Sequence, residues 1–167
     1  MAEASGALDL VSGGATQTRK LGRQLGELMA PGDVLLLEGE LGAGKTVFAQ
    51  GAAQGLGVAE YVTSPSFTLI NEYRADSAHG RLRVYHIDLY RLESAAEVID
   101  LGLLDYLGGD GVCLVEWAER LHGLLLSDYL LLRLEVAGAT RRRLYFTARG
   151  ERHARLLAAF AGAVAGR

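Results

Sequence analysis

The chain has 167 residues, half of them hydrophobic and 22% charged, with 17 Lys+Arg against 20 Asp+Glu for a formal charge of −3. This composition suits one globular domain and excludes a disordered chain, and the acidic balance excludes a generic nucleic-acid coat, which needs many cations against phosphate. One cysteine makes neither an internal disulfide nor a Cys-rich zinc site, and no stretch approaches the roughly 18 apolar residues of a membrane span, so a reducing, cytoplasmic setting is expected.

Residues 1–12 lack a basic start followed by a long apolar run, so no secretory signal is expected. The small, polar stretch 1–14 reads as a loose end. Residues 18–29 place Leu21, Leu25, Leu28 and Met29 at helical spacing, and Pro31-Gly32-Asp33 turns the chain after them. The apolar run 34–37 reads as a strand buried on both faces. A Gly-rich loop at 39–44 leads into a helix at 45–56, which Gly51 and Gly55 weaken. The stretch 62–73 is polar and turn-forming, with strand character at 67–70. Residues 82–87 read as a strand ending at Asp88, 94–107 as a helix broken at Gly102, and 112–115 as a buried strand ending at Glu116. The runs 129–136 and 141–148, joined by Ala137-Gly138-Ala139-Thr140, read as a β-hairpin. A helix with an Ala/Leu face follows at 151–164, and the Ala/Gly-rich 161–167 read as a second loose end. The alternation predicts one α/β domain over 1–167, with a mostly parallel central sheet, helices on both faces and a C-terminal antiparallel hairpin.

The strongest signal is Gly39-Glu40-Leu41-Gly42-Ala43-Gly44-Lys45-Thr46, which matches G-x-x-x-x-G-K-[ST] at every fixed position. The glycines let the backbone bring its N–H groups close to phosphate oxygens, and the following helix points unpaired N–H groups at the same anion. Lys45 is a flexible point charge suited to β- and γ-phosphates, and the Thr46 hydroxyl is a hard oxygen ligand for Mg²⁺. The guanine-reading N-K-x-D motif is absent and Asn71 is the only asparagine, so ATP is the expected nucleotide. Such a loop needs a carboxylate near its metal, at the end of a hydrophobic strand. Asp88 follows Val84-Tyr85-His86-Ile87, and Glu116 follows Val112-Cys113-Leu114-Val115. Composition leaves open which of them holds the metal and which orients water.

Other residues carry weaker signals. His79, His86, His122 and His153 show no metal-ligand spacing. His86 shares a strand face with Asp88 and reads as a core or rim histidine, with a proton-transfer partner as the alternative. Cys113 reads as a buried small hydrophobe, and Trp117, taken alone, as packing. In Arg141-Arg142-Arg143, alternation sets Arg142 on the face opposite its neighbours; the cluster is either a solvated strand end or a contact to nucleotide phosphate or an RNA backbone. Ser64, Ser66 and Thr68 lie where many nucleotide-hydrolysing proteins with this loop keep a nucleotide-sensing switch.

Four blocks occur in order: Gly39 to Thr46, Ser64-Pro65-Ser66-Phe67-Thr68-Leu69, Tyr85-His86-Ile87-Asp88-Leu89-Tyr90-Arg91-Leu92, and Cys113-Leu114-Val115-Glu116-Trp117. With Gly102-Leu103, Asp105-Tyr106 and the hairpin, they span about residues 18–146. In these blocks the chain resembles the TsaE family, small P-loop ATPases of bacterial tRNA threonylcarbamoyladenosine biosynthesis. The H-x-D-x-Y-R-L and L-V-E-W blocks are far more specific than the phosphate loop. The resemblance implies ATP and Mg²⁺ as cofactors, slow hydrolysis by the chain alone, and stimulation by the partners TsaB and TsaD. It implies that TsaD transfers the threonylcarbamoyl group to adenosine 37 of ANN-decoding tRNAs, so that tRNA is met through the complex. It further implies that Lys45 holds phosphates within the 39–46 loop, and that Thr46 and Glu116 hold Mg²⁺. Asp88 would be an essential carboxylate, Trp117 functionally needed, Arg142 close to the nucleotide, and 64–68 the switch. Departures from the family pattern are small: Ser66-Phe67 where Thr-Tyr is frequent, and Ile87 where Phe is. The stretch after Trp117 is less family-like. Two other readings of the same loop are a small-molecule kinase, which would want an Arg-bearing lid, and a nucleotide-gated binding module with negligible hydrolysis.

Overall fold

The computed structural model describes residues 5–65, 68–121, 124 and 126–166. Their strands are β1 (Ser5–Ser12), β2 (Val34–Glu38), β3 (Ile70–Arg74), β4 (Arg83–Asp88), β5 (Val112–Glu116), β6 (Tyr129–Val136) and β7 (Arg142–Arg149). Their helices are α1 (Ala15–Gly26), α2 (Lys45–Gly55), α3 (Ala95–Asp100), α4 (Leu103–Leu107) and α5 (Glu151–Ala165). The strands form one sheet in the order β1-β7-β6-β2-β5-β4-β3. β6, β2, β5 and β4 run parallel through its centre. β7 and β1 extend it antiparallel on one side and β3 on the other. This is the α/β fold that alternating strands and helices require, with its late hairpin in place.

Strand alternation divides the apolar side chains between two cores. Leu35, Leu37 and Leu114 join Phe48, Ala52, Phe146 and Phe160 beneath α1, α2 and α5. Leu36, Ile87 and Val115 join Val98 and Leu103 beneath α3 and α4. Cys113 belongs to the second core; burial pushes its thiol up to about 12, and Sγ donates to the Tyr106 carbonyl at 3.1 Å. It is the inert small hydrophobe expected. Ser94 caps α3 by accepting from the Glu97 N–H, and Gly102 separates α3 from α4 at the expected break.

α1 and α2 meet backbone to backbone. A Cβ on Gly26 would lie 2.1 Å from the Ala52 carbonyl oxygen, and one on Gly51 would lie 2.1 Å from that of Arg19. The glycines that weaken α2 as an isolated helix are therefore what lets it seat against α1.

Three expectations are corrected. Residues 1–14 are not a loose end throughout, because β1 pairs with β7 residue by residue, from Ser5 with Arg149 to Ser12 with Arg142. Leu8 and Leu10 pack against the core, and Arg143 holds Asp9 at 2.6 Å. An edge strand needs only alternate apolar residues, which the small and polar neighbours here obscure. Residues 161–165 are not loose either, since α5 runs through Ala165 beyond a fully buried Phe160, and Arg167 lies outside the described residues. The strand character at 67–70 falls instead on Ile70–Arg74, where pairing of Ile70 with Ile87 and Arg74 with Arg83 sets the register. Phe67 lies outside the described residues. No helix among the described residues is long and apolar enough to cross a membrane.

Gly51→Ala is expected to destabilise the fold by about 1–3 kcal/mol through overpacking, despite the ~1 kcal/mol that alanine gains in helix propensity. The measurement is the urea midpoint, and an unchanged midpoint would deny that backbone contact sets this packing.

Candidate functional site

Three neighbouring parallel strands end at one edge of the sheet, and their register aligns what they carry. Leu37 of β2 is paired with Glu116 of β5, which is paired with Asp88 of β4. The Gly-rich loop leaves β2 at this edge and enters α2, whose first residue is Lys45. Open α/β sheets hold ligands at this edge, beyond the carboxyl ends of the strands. Gly42 and Gly44 take φ values of 82° and 106°, a region other residues rarely adopt, and Gly44 is the N-cap of α2. The first N–H groups of α2 have no partner within the helix.

Lys45 is only 4% exposed. Its Nζ donates to the carbonyl oxygens of Gly39 at 2.5 Å and Glu40 at 2.9 Å, and lies 4.0 Å from the centre of the Trp117 ring. Burial lowers its pKa from the ordinary 10.5, against the pull of Glu119, Glu116, Asp88 and Glu40. Trp117 reaches this position through a φ of 58°, a left-handed backbone that a bulky residue adopts only under constraint. Tyr90 packs on the same ring, with centroids 4.9 Å apart.

Both carboxylates are buried and tethered. Glu116 Oε1 accepts from the Thr46 hydroxyl at 2.7 Å, and Glu116 Oε2 is 2.5 Å from His86 Nε2. Asp88 accepts from the Ser64 hydroxyl at 3.0 Å and from the Tyr90 N–H at 2.9 Å. With Lys45 and the loop they line a cleft of about 470 Å³ that Leu41, Arg91 and Trp117 also border. Arg142 donates to the Gly42 carbonyl at 3.3 Å, which brings it to the loop beside a smaller hollow of about 230 Å³. Arg143 turns away to Asp9 and Glu135.

The structure thus brings together Lys45, Thr46, Asp88, Glu116 and Trp117, with Arg142 at the rim. Of the suspected switch, Ser64 reaches Asp88, and Thr68 bonds Asn71 at 3.0 Å. Ser66 and Phe67 lie outside the described residues, as does His122. His79 pairs with Asp76, and His153 with Asp128, both away from the cleft. Tyr90 and Glu119 also belong to the site. Tyr90 supplies a ring to Trp117 and an N–H to Asp88. Glu119 accepts from the Gly39 N–H at 3.4 Å, and burial raises its pKa. Tyr90 stands inside the Tyr85–Leu92 block, which gives it no role of its own; Glu119 follows the Cys113–Trp117 block and has no motif to mark it.

The family model for "Threonylcarbamoyl adenosine biosynthesis protein TsaE" matches residues 13–144. The chain belongs to the TsaE family. It is 45% identical over 137 residues to tRNA threonylcarbamoyladenosine biosynthesis protein TsaE of Bacillus subtilis (strain 168), covering 82% of this chain and 83% of that one. It is 41% identical over 134 residues to the TsaE protein of Treponema pallidum (strain Nichols), covering 80% and 96%. The crystal structure of Bacillus subtilis YdiB superposes with a TM-score of 0.77 at 36% identity, covering 94% of this chain and 95% of that one. β1 and α5 lie outside the TsaE match, although β1 completes the sheet and α5 covers part of it.

Because burial lowers the Lys45 pKa, the folded protein sheds this proton before the unfolded chain does. The group's contribution to stability therefore rises with pH between the lowered value and 10.5. Lys45→Met removes that slope. The urea midpoint of the wild type is expected to gain on the variant's as pH rises from neutral toward that limit, and parallel profiles would deny a buried ammonium.

Proposed function

We propose that this TsaE-family chain binds ATP with Mg²⁺ and hydrolyses it, as the cytoplasmic ATPase that works with TsaB and TsaD in threonylcarbamoylation of adenosine 37 of ANN-decoding tRNAs. What carries this reading is the convergence of Lys45, Thr46, Glu116 and Asp88 where the loop enters α2.

The loop N–H groups and the Lys45 ammonium favour an anionic phosphate chain. Glu116 and Asp88, buried beside them, would repel that same chain. A divalent cation between them removes the conflict, and the donors suit Mg²⁺: the Thr46 hydroxyl and the Glu116 carboxylate are hard oxygens already 2.7 Å apart. Among the described residues no three of His, Cys, Asp and Glu form a cage. That agrees with Mg²⁺, which takes one or two protein oxygens and completes its shell with phosphate and water. When bound, Mg²⁺ neutralises charge on the transferred phosphoryl group.

The rest of the work is positioning by the chain itself. Lys45 is anchored at the loop by two carbonyls and the Trp117 ring, so its charge is held in place. Asp88, tied to Ser64 and to the Tyr90 N–H, is the carboxylate left to hold an attacking water. The Ser64 link would couple Ser64, the first residue of the suspected 64–68 switch, to the occupancy of the site. Arg142, at the loop's outer side, is placed to approach the nucleotide. The cleft lining sets Lys45 and Arg91 against Asp88 and Glu116, which leaves the charge of a triphosphate largely to the metal and to partners. That balance suits slow turnover alone and stimulation in a complex. A formal charge of −3 suits a chain that meets tRNA through the assembly.

Calorimetry is expected to show Mg-ATP binding by the wild type and none by Lys45→Ala. Glu116→Ala is expected to lower Mg²⁺-dependent phosphate release about 10–100-fold. Mixed with TsaB and TsaD from the same source, the wild type is expected to form a larger complex and to release phosphate faster. Absence of both, with ATP and with ADP, would overturn the assignment.

A further inference from the structure

His86 is fully buried on β4, two residues before Asp88 and on the same face of the sheet. Its Nε2 lies 2.5 Å from Glu116 Oε2, while the Thr46 hydroxyl takes Oε1. Its other ring nitrogen, Nδ1, is buried and has no hydrogen-bond partner among the described residues. An N–H at Nδ1 would be buried without an acceptor, so the proton belongs on Nε2 and is donated to the carboxylate. In the strand register His86 is paired with Asn71 on β3 and Leu114 on β5.

We propose that His86 is a positioning and specificity-determining residue: by occupying Oε2 it leaves Glu116 only Oε1, beside the Thr46 hydroxyl, for a divalent cation. The role rests on the Mg-ATP reading above. A carboxylate with both oxygens free chelates a large cation. Ca²⁺ accepts such two-oxygen binding within a flexible shell of roughly six to eight oxygens, whereas Mg²⁺ demands a compact octahedron. A Glu116 restricted to one oxygen suits Mg²⁺ and denies Ca²⁺ its chelate. Glu116 is itself 2% exposed and its Oε2 is tied to a buried imidazole, so it does not swing to offer both oxygens, whereas the Thr46 hydroxyl on Oε1 is itself a hard oxygen donor to the same cation.

The test uses the full chain and a non-hydrolysable ATP analogue. Calorimetry gives the analogue's affinity in Mg²⁺, in Ca²⁺ and with cations chelated, for the wild type, His86→Leu, His86→Asn and His86→Gln. A thermal melt checks that each variant is folded. Glutamine places an amide N–H at the reach of Nε2; asparagine is one carbon too short. The ratio of affinity in Mg²⁺ to that in Ca²⁺ is expected to fall about tenfold or more in His86→Leu and His86→Asn, and to be preserved in His86→Gln. Affinity with cations chelated is expected to be unchanged in all of them. A histidine that only packs would lower every affinity together or weaken the melt, without moving the ratio. If His86→Leu does not fold, the comparison of asparagine with glutamine decides. An unmoved ratio in a folded Leu or Asn variant, or a ratio lost in His86→Gln, overturns the role of His86 and leaves the Mg-ATP reading standing. A wild type that binds the analogue under none of these conditions overturns both.

Discussion

The backbone contact between α1 and α2 sets where the N-terminal end of α2, with Lys45 and Thr46, lies. At Gly26 and Gly51 main chain meets main chain, so no side chain is available to absorb a shift. α1 is fixed in turn by β1: the Ser12 and Thr18 hydroxyls are 2.7 Å apart and both residues are buried. The Gly-rich loop is pressed from the other side, since a Cβ on Gly39 would lie 2.6 Å from the Leu134 carbonyl oxygen on β6. An edge strand, two helices and a central strand therefore converge on one short turn. Preorganised donors of this kind lose little entropy when an anion arrives.

The same turn concentrates charge that the fold would otherwise exclude. One ammonium and two carboxylates are nearly buried at the end of strands that are otherwise apolar. Each is tolerable because its polar atoms have partners: Lys45 on two carbonyls, Glu116 between Thr46 and His86, Asp88 between Ser64 and Tyr90. Low dielectric strengthens these bonds and also penalises any one left unmade. The left-handed Trp117 backbone belongs with this group, a local strain kept where it sets a ring over Lys45.

Much of this is legible in the sequence, and what is not has definite causes. The phosphate loop, the strand ends at Asp88 and Glu116 and the terminal hairpin are local patterns, and local patterns survive folding. Distinguishing the two carboxylates requires the register between β4, β5 and α2, a long-range quantity. Only the fold shows that Thr46 bonds Glu116 while Ser64 bonds Asp88. His86 illustrates the same limit: alternation puts it on the Asp88 face, but its partner is Glu116, across the strand pair. Gly51 reads as a helix weakness until the Arg19 carbonyl is found against it. β1 escapes because an edge strand stabilised by pairing and by Arg143–Asp9 needs little hydrophobic content of its own.

The scarcity of lysine sharpens the chemistry at one position. Only Lys20 and Lys45 occur among 17 basic residues, and Lys20 is exposed on α1. At Lys45 an ammonium has three donors. Two are directed to the Gly39 and Glu40 carbonyls, and the Trp117 ring covers one side. One donor is left over, the number that one phosphate oxygen of the proposed nucleotide would take. An arginine would bring five donors on a flat, rigid fork into the same enclosure. Two carbonyls and one anion would not satisfy them, and the fork would not fit beneath the ring without moving Trp117. A composition that favours arginine elsewhere thus yields to lysine where the space is compact and the partners are few.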